Sequence, residues 1–177
     1  LDYSDFILEL EVFVEPPLNS GIQFRSLSID SYRDGRVHGY QCEIDPSQRA
    51  WSGGIYDEGR RGWLYNLARN PDGRKAFRQG AWNKYRIEAI GDTIRTWING
   101  VMCSNLVDNE TAAGFIALQV HGVGDDLSKV GKTVRWRNIR IRILDLMDAR
   151  WEPDPDVVEI NYIPNTLTPT EKRKGWR

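Results

Sequence analysis

Hydrophobic and polar residues alternate along most of this chain, in short runs separated by turn residues. Phe6, Leu8, Leu10, Val12 and Val14 share one parity and Glu9 and Glu11 the other, the two-residue period of a half-buried β-strand. Residues 21–26 repeat the pattern, with Ile22, Phe24 and Ser26 against Gln23 and Arg25. Residues 39–45 set Tyr40, Cys42 and Ile44 against Gln41, Glu43 and Asp45. Two further runs, 85–90 and 93–98, flank Gly91-Asp92, a hairpin signal, and Asn99-Gly100 is a second tight turn leading into Val101-Met102-Cys103. Residues 115–121 and 133–144 complete the series. The last run changes face near Asn138, where a bulge would bring Val134 and Trp136 into line with Ile139, Ile141 and Ile143. Short strands, Gly-rich turns and almost no helical period predict an all-β, antiparallel sandwich or jelly roll.

Two stretches break the pattern. Residues 45–79 are long for a connection, carry Gly53-Gly54, Gly59 and Gly62, and are dense in Arg and Trp. A loop of that length is functional or disordered, and its aromatics argue for an ordered wall or lid. Beyond Leu146 the prolines around Trp151 and at Pro164 predict an extended linker over 147–164. Thr168-Pro169-Thr170-Glu171 then reads as a helix-starting capping box close to Arg177. With residue 1 falling almost directly into a strand, the chain reads as a piece of something longer. The expected layout is a sandwich over 1–146, a linker, and a tail or the start of a further domain over 165–177.

Composition narrows the class. At 177 residues and 40% hydrophobic content, one domain can remove roughly 70% of its unfolded surface from water. A net charge of −1 leaves no polybasic footprint for nucleic acid. No apolar run approaches the ~20 residues of a membrane span. Cys42 and Cys103 have no metal-ligand spacing and are either a pair or two small hydrophobes, so the redox compartment stays open.

The polar alternates of four strands include Gln23 and Arg25; Gln41, Glu43 and Asp45; Arg95, Trp97 and Asn99; Gln119 and His121. If these strands share one sheet face, they assemble carboxylates, cations, an imidazole, amides and an indole on one surface. The plainer reading is that an antiparallel sheet simply solvates one face. A face that lacks Lys and holds one of only two histidines beside Gln and Trp favours a site. His121 is a candidate base or metal ligand at a strand end, or a surface residue. His38 reads as surface. Metal binding by Glu43, Asp45 and His121 matches no standard ligand spacing, and Asp125-Asp126 suggests calcium only faintly against a solvated turn.

The segments NSGIQFRS (19–26), GYQCEIDPSQRAWSGGIYDEGRRGWL (39–64), WNKYRIEAIGDTIRTWINGV (82–101), GFIALQVHG (114–122) and VRWRNIRIRIL (134–144) resemble the 3-keto-disaccharide hydrolase family, a concanavalin-like jelly-roll domain of bacteria. The resemblance runs over about residues 1–146, and NTLTPTEKRKGWR (165–177) resembles the opening of another such domain. It implies strands ahead of Leu1, and hence either a second copy or separate chain completing the sandwich or removal of the preceding segment after folding. It also implies a periplasmic or secreted setting and cleavage of glycosides already oxidised at C3. That chemistry needs a base for the C2 proton, a partner for the enolate oxygen, a proton donor for the departing oxygen and a stacking platform. On the resemblance, Glu43 or His121 serves as base and acid, Arg25 as enolate partner and Asp45 as orienting group. Gln41, Gln119 and Asn99 bond hydroxyls and Trp97 is the platform. Tyr56 and Glu58 enter from the wall, supported by Arg61 and Trp63, and a divalent metal polarising the ketone is possible. The alternative is a non-catalytic carbohydrate-binding or interaction module of lectin-like jelly-roll type, which needs the aromatics and amides but no acid and base.

Overall fold

The computed structural model describes residues 1–146 and the two-residue strand Val158–Glu159. The expected linker and tail lie otherwise outside the described residues. Among the described residues eleven strands form two sheets. Beta strands β1 (Phe6–Val14), β2 (Ser20–Leu27), β3 (His38–Ile44), β4 (Ile55–Glu58) and β5 (Gly62–Tyr65) come first. A 3-10 turn (Leu67–Arg69) and a single helical turn, α1 (Pro71–Arg74), follow. Then come β6 (Asn83–Ile90), β7 (Thr93–Ile98), β8 (Val101–Val107), β9 (Phe115–Leu118), β10 (Val134–Arg142) and β11 (Val158–Glu159). One sheet has the order β10-β1-β6-β7-β8-β11 and the other β5-β4-β3-β2-β9. All pairs are antiparallel except β11 with β8.

The expected jelly-roll sandwich is therefore the architecture, and its core is the apolar parity of each strand. Phe6, Leu8, Leu10 and Val12 of β1 meet Ile22 and Phe24 of β2 and Tyr40, Cys42 and Ile44 of β3, all buried. Phe6 meets Phe24 edge-on at 6.1 Å, and Phe24 stacks on Tyr40 at 5.6 Å. Each such ring removes enough apolar surface to contribute about 2–3 kcal/mol. Cys42 and Cys103 are both buried and free, so the pairing option is settled in favour of two core thiols. Burial pushes both thiols up, Cys103 to about 12, which keeps them protonated.

The switch of face in β10 occurs where expected. Asn138 has φ +53°, and the register with β1 shifts between Glu9 and Glu11. Ile141 then pairs with Leu8, yet Ile139, Ile141 and Ile143 stay 53%, 38% and 54% exposed.

Three expectations need correction. Residues 45–79, expected to lack strands, contain β4 and β5; at four residues each, turned by Gly59 (φ +69°) and Gly62 (φ +79°), these are too short to show a period. The stretch forms a wall rather than an irregular loop. His38, read as surface, is buried, with its ring 4.0 Å from that of Tyr32 and its Nδ1 2.8 Å from the Arg36 carbonyl oxygen. The four polar-faced strands do not share a sheet: β2, β3 and β9 do, whereas β7, carrying Arg95 and Trp97, belongs to the other.

Candidate active site

A single cross-strand row carries the outward face of the five-stranded sheet. Gln23 on β2 pairs with Gln41 on β3, Gln41 with Tyr56 on β4, and Tyr56 with Trp63 on β5. Because facing residues in antiparallel strands project to the same side, these four side chains share one surface. In the next row Glu43 pairs with Gly21, whose carbonyl oxygen accepts from the Gln119 backbone N–H at 2.9 Å. Above these rows is a cavity of about 230 Å³. Gln41, Glu43 and Gln119 line its sheet side, and Tyr56, Glu58 and Trp63 its wall; Asn19, Arg49 and His121 complete the lining. Glu43 and His121 therefore face one hollow, in a volume below the ~300 Å³ at which pockets for drug-sized ligands begin.

Glu43 is 5% exposed. Its Oε2 accepts from Gln41 Nε2 at 3.0 Å, and its Oε1 is 3.9 Å from Arg49 Nη2. Burial, reinforced by the charges of Asp45 and Glu58, pushes its carboxyl up to about 7 against the opposing pull of Gln41 and Arg49. That is where a carboxylate serves as a general base near neutrality. Its backbone is equally fixed, its N–H donating to the Gly54 carbonyl oxygen at 2.9 Å and its carbonyl oxygen accepting from Gly53 N–H at 2.8 Å. His121 is exposed at the cavity rim, three residues beyond the end of β9.

Asp45 does not line the cavity but holds a residue that does. Its Oδ2 accepts from Arg49 Nε at 2.7 Å and its Oδ1 from the Ser47 N–H at 3.1 Å. Burial works against its charge, but these bonds outweigh it and keep the carboxyl below its ordinary range. The Arg49 guanidinium is fixed over two indoles, 4.7 Å from Trp51 and 5.2 Å from Trp63. Trp63 in turn meets Trp51 edge-on at 4.8 Å and Tyr56 at 5.2 Å. Burial and the charges of Glu58 and Glu43 raise the Tyr56 phenol, so it stays a hydrogen-bond donor.

Gly53 pins the wall to the opposite sheet. Its carbonyl oxygen accepts from Thr96 Oγ1 at 2.6 Å and Ser104 Oγ at 2.7 Å. Its φ is +85°, and a Cβ there would lie 2.6 Å from Cys103 Cβ, so only glycine fits.

Four expected site residues stand elsewhere. Arg25, with φ +44° at the register shift of β2, is 1% exposed and turns to the end of the other sheet. There it donates to the Ser4 and Gly91 carbonyl oxygens at 2.8 and 2.9 Å and pairs with Asp5 at 3.2 Å. Trp97 lies on the six-stranded sheet, with Arg95 and Arg86 5.7 and 5.9 Å from its ring. Asn99 takes φ +52° at its turn and donates to Ala76 O and Asn83 Oδ1, both at 2.9 Å. Arg61 bridges two fully buried carboxylates, Asp57 at 2.5 Å and Asp108 at 2.6 Å, and Asp108 also accepts from the Tyr40 hydroxyl. These are structural positions. Arg49 and Asn19, neither singled out from sequence, line the cavity instead; the i, i+4 spacing of Asp45 and Arg49 beside Trp51 was the available signal for the first.

Among the described residues no three His, Cys, Asp or Glu side chains gather to hold a metal ion. Asp126 caps a 3-10 turn by accepting from Ser128 N–H at 3.1 Å. That donor set does not fit a divalent cation. Nor is any helix among these residues long and apolar enough to cross a membrane.

Comparison with solved structures finds the same fold. A proposed glycosyl hydrolase of Parabacteroides distasonis is similar at 21% identity and TM-score 0.57, covering 81% of this chain and 80% of that one. A second from the same organism is similar at 14% identity and TM-score 0.57, over 82% and 74% of the two chains. The carbohydrate-binding module CBM66 from Bacillus subtilis is similar at 14% identity and TM-score 0.52, over 80% and 76%. No curated protein matches. The family model described as the 3-keto-alpha-glucoside-1,2-lyase-like domain matches residues 1–142. With a carbohydrate-active jelly roll and a carboxyl-bearing cavity in its outer face, this chain belongs to the 3-keto-alpha-glucoside-1,2-lyase-like family.

Proposed function

We propose that this domain cleaves 3-keto-glycosides, with Glu43 as the base. The observation that carries the reading is a buried carboxyl held near neutrality in a cavity that also presents an imidazole, a cation and an indole. The C3 ketone acidifies the neighbouring C–H. Glu43 takes the C2 proton, and the electron pair of that bond moves into an enolate delocalised onto the C3 oxygen. Arg49, fixed by Asp45 and the two indoles, offers its positive charge to that oxygen, the role first expected of Arg25. Collapse of the enolate forms a C1–C2 double bond and breaks the bond from C1 to the departing oxygen, which takes a proton from His121. Water then adds, its oxygen to C1 and a proton to C2, so the net change is hydrolysis. Trp63 and Tyr56 replace Trp97 as the platform for the ring, and Gln119, Asn19 and Glu58 bond its hydroxyls. On the family resemblance we assign the setting to the bacterial envelope or exterior.

Incubation with a 3-keto-glucoside and its unoxidised parent is the test. Release of the aglycone from the keto sugar alone is expected, and its loss in His121→Ala. Saturable binding of the unoxidised sugar with no turnover of either would replace this reading with that of a carbohydrate-binding module.

A further inference from the structure

Gln23 and Gln41 point outward from the five-stranded sheet, where water would be expected, yet they are only 5% and 3% exposed. They form a chain: Gln23 Nε2 donates to Gln41 Oε1 at 3.2 Å, and Gln41 Nε2 donates to Glu43 Oε2 at 3.0 Å. The two ends of an amide have nearly the same shape, so partners alone decide which end faces a neighbour. By occupying the Gln41 oxygen, Gln23 leaves the Gln41 NH₂ group for Glu43. Gly21 makes this geometry possible. A Cβ at Gly21 would lie 2.4 Å from Gln41 Cδ and 2.6 Å from its Nε2, so the Gln41 side chain lies flat across the glycine to reach Glu43.

We infer that Gln23 and Gly21 are positioning residues that orient the Gln41 amide donor-first toward Glu43, holding the base in its proton-accepting form. The inference rests on the reading of Glu43 as base and gives Gln41 a different task from the hydroxyl contact expected of it. One further detail fits. Gln23 Oε1 is buried and has no partner. When Glu43 has taken the C2 proton, a half-turn of both amides reverses the chain. The Glu43 O–H then donates to Gln41 Oε1, and Gln41 Nε2 donates to Gln23 Oε1. Gln23 Oε1 then gains a donor as Gln23 Nε2 gives up its acceptor, so the chain keeps the same number of hydrogen bonds in either direction and no covalent bond changes. Other charged or titratable groups also face Glu43: Arg49, Asp45 and Glu58 near its carboxyl, with Tyr56 and His121 lining the same cavity. They are common to every variant compared.

The test is the ¹³C titration of the Glu43 side-chain carboxyl in the full chain, for the unmodified protein and for Gln23→Leu and Gly21→Ala. Freed from Gln23, the Gln41 amide turns its oxygen to Glu43 and favours the protonated carboxyl. The midpoint should rise by about half a unit to one unit in both variants, the size expected for one lost charge-assisted hydrogen bond. The acid limb of kcat/KM on a 3-keto-glucoside should move by the same amount. Gln23→Met, close in volume to the original, gives the same readout where Leu disturbs folding. An unchanged Glu43 midpoint in folded variants overturns the relay. A shifted midpoint in a protein that turns over no 3-keto-glycoside keeps the relay and removes the reaction assigned to the site.

Discussion

The outward faces of the two sheets are built from the same alternation and end in opposite electrostatic states. On the six-stranded sheet Glu9, Glu11 and Glu88 are all matched by cations. Glu9 meets Lys84 at 3.3 Å, Arg86 at 3.2 Å and Arg140 at 2.9 Å. Glu88 lies between Arg86 at 2.5 Å and Arg95 at 3.3 Å, and Arg137 holds Glu11 at 2.6 Å. Burial opposes ionisation of Glu9, but the bonds from Arg86 and Lys84 prevail and lower its carboxyl. On the five-stranded sheet Glu43 has one amide at 3.0 Å and one guanidinium at 3.9 Å, and its carboxyl rises to about 7. Polarity is common to both faces. What separates a site from a solvated surface is incomplete compensation of a buried charge.

Substitution of the two buried glutamates should separate the faces most strongly. Glu43→Gln should lower turnover by about 10²–10⁴, the usual share of a general base. It should also stabilise the fold at pH 8. The folded-state carboxyl is raised above its unfolded value of 4.5, so the stability associated with Glu43 is fully present below pH 4.5 and is lost as pH climbs through about 7. At about 1.4 kcal/mol per unit, the gain of Glu43→Gln at pH 8 is up to about 3 kcal/mol, vanishing near pH 4. Glu88→Gln should do the reverse, leaving turnover intact while destabilising through stranded arginines by about 1–3 kcal/mol. Denaturant melts at pH 4 and 8 beside a rate assay decide both; a Glu43→Gln variant less stable than its parent at pH 8 would contradict the contrast.

A smaller effect is expected at Arg49. Arg49→Lys keeps the charge but loses the flat stacking on Trp51 and Trp63, and kcat should fall about tenfold to a hundredfold while KM changes little. An equal loss confined to KM would make Arg49 a ground-state binder. The smallest effect compares two indoles. Trp63→Ala should weaken sugar affinity by about fivefold to tenfold, and Trp97→Ala should leave it unchanged, as read by calorimetric titration. Equal weakening by both would erase the distinction between the faces.

The strands and their buried parity were legible because a two-residue period is written directly into the order of residues. Even the bulge at Asn138 could be placed, since the apolar parity of β10 changes there. The period does not say which sheet a strand joins, however. Arg95 and Trp97 read like Gln41 and Glu43, and only the topology separates them. Arg25 kept the right parity on paper, but a non-glycine residue at positive φ turned it away. The grouping of Glu43, Gln119 and His121 around one cavity was legible because they lie on or just past strands. Arg49 was missed because its position depends on a loop, two stacked indoles and a carboxylate four residues back, none of which repeats.

The double anchorage of Gly53 to Thr96 and Ser104 has a kinetic meaning. A rim tied to the far layer of the sandwich through two hydroxyls is a fixture and not a flap. On the proposed reading of the cavity, arrival of a sugar would require no opening event, and the encounter would be governed by diffusion and by stripping of water from the ring. On that same reading, turnover would be paced by bond breaking or by escape of the cleaved fragments, with no slow closure to await.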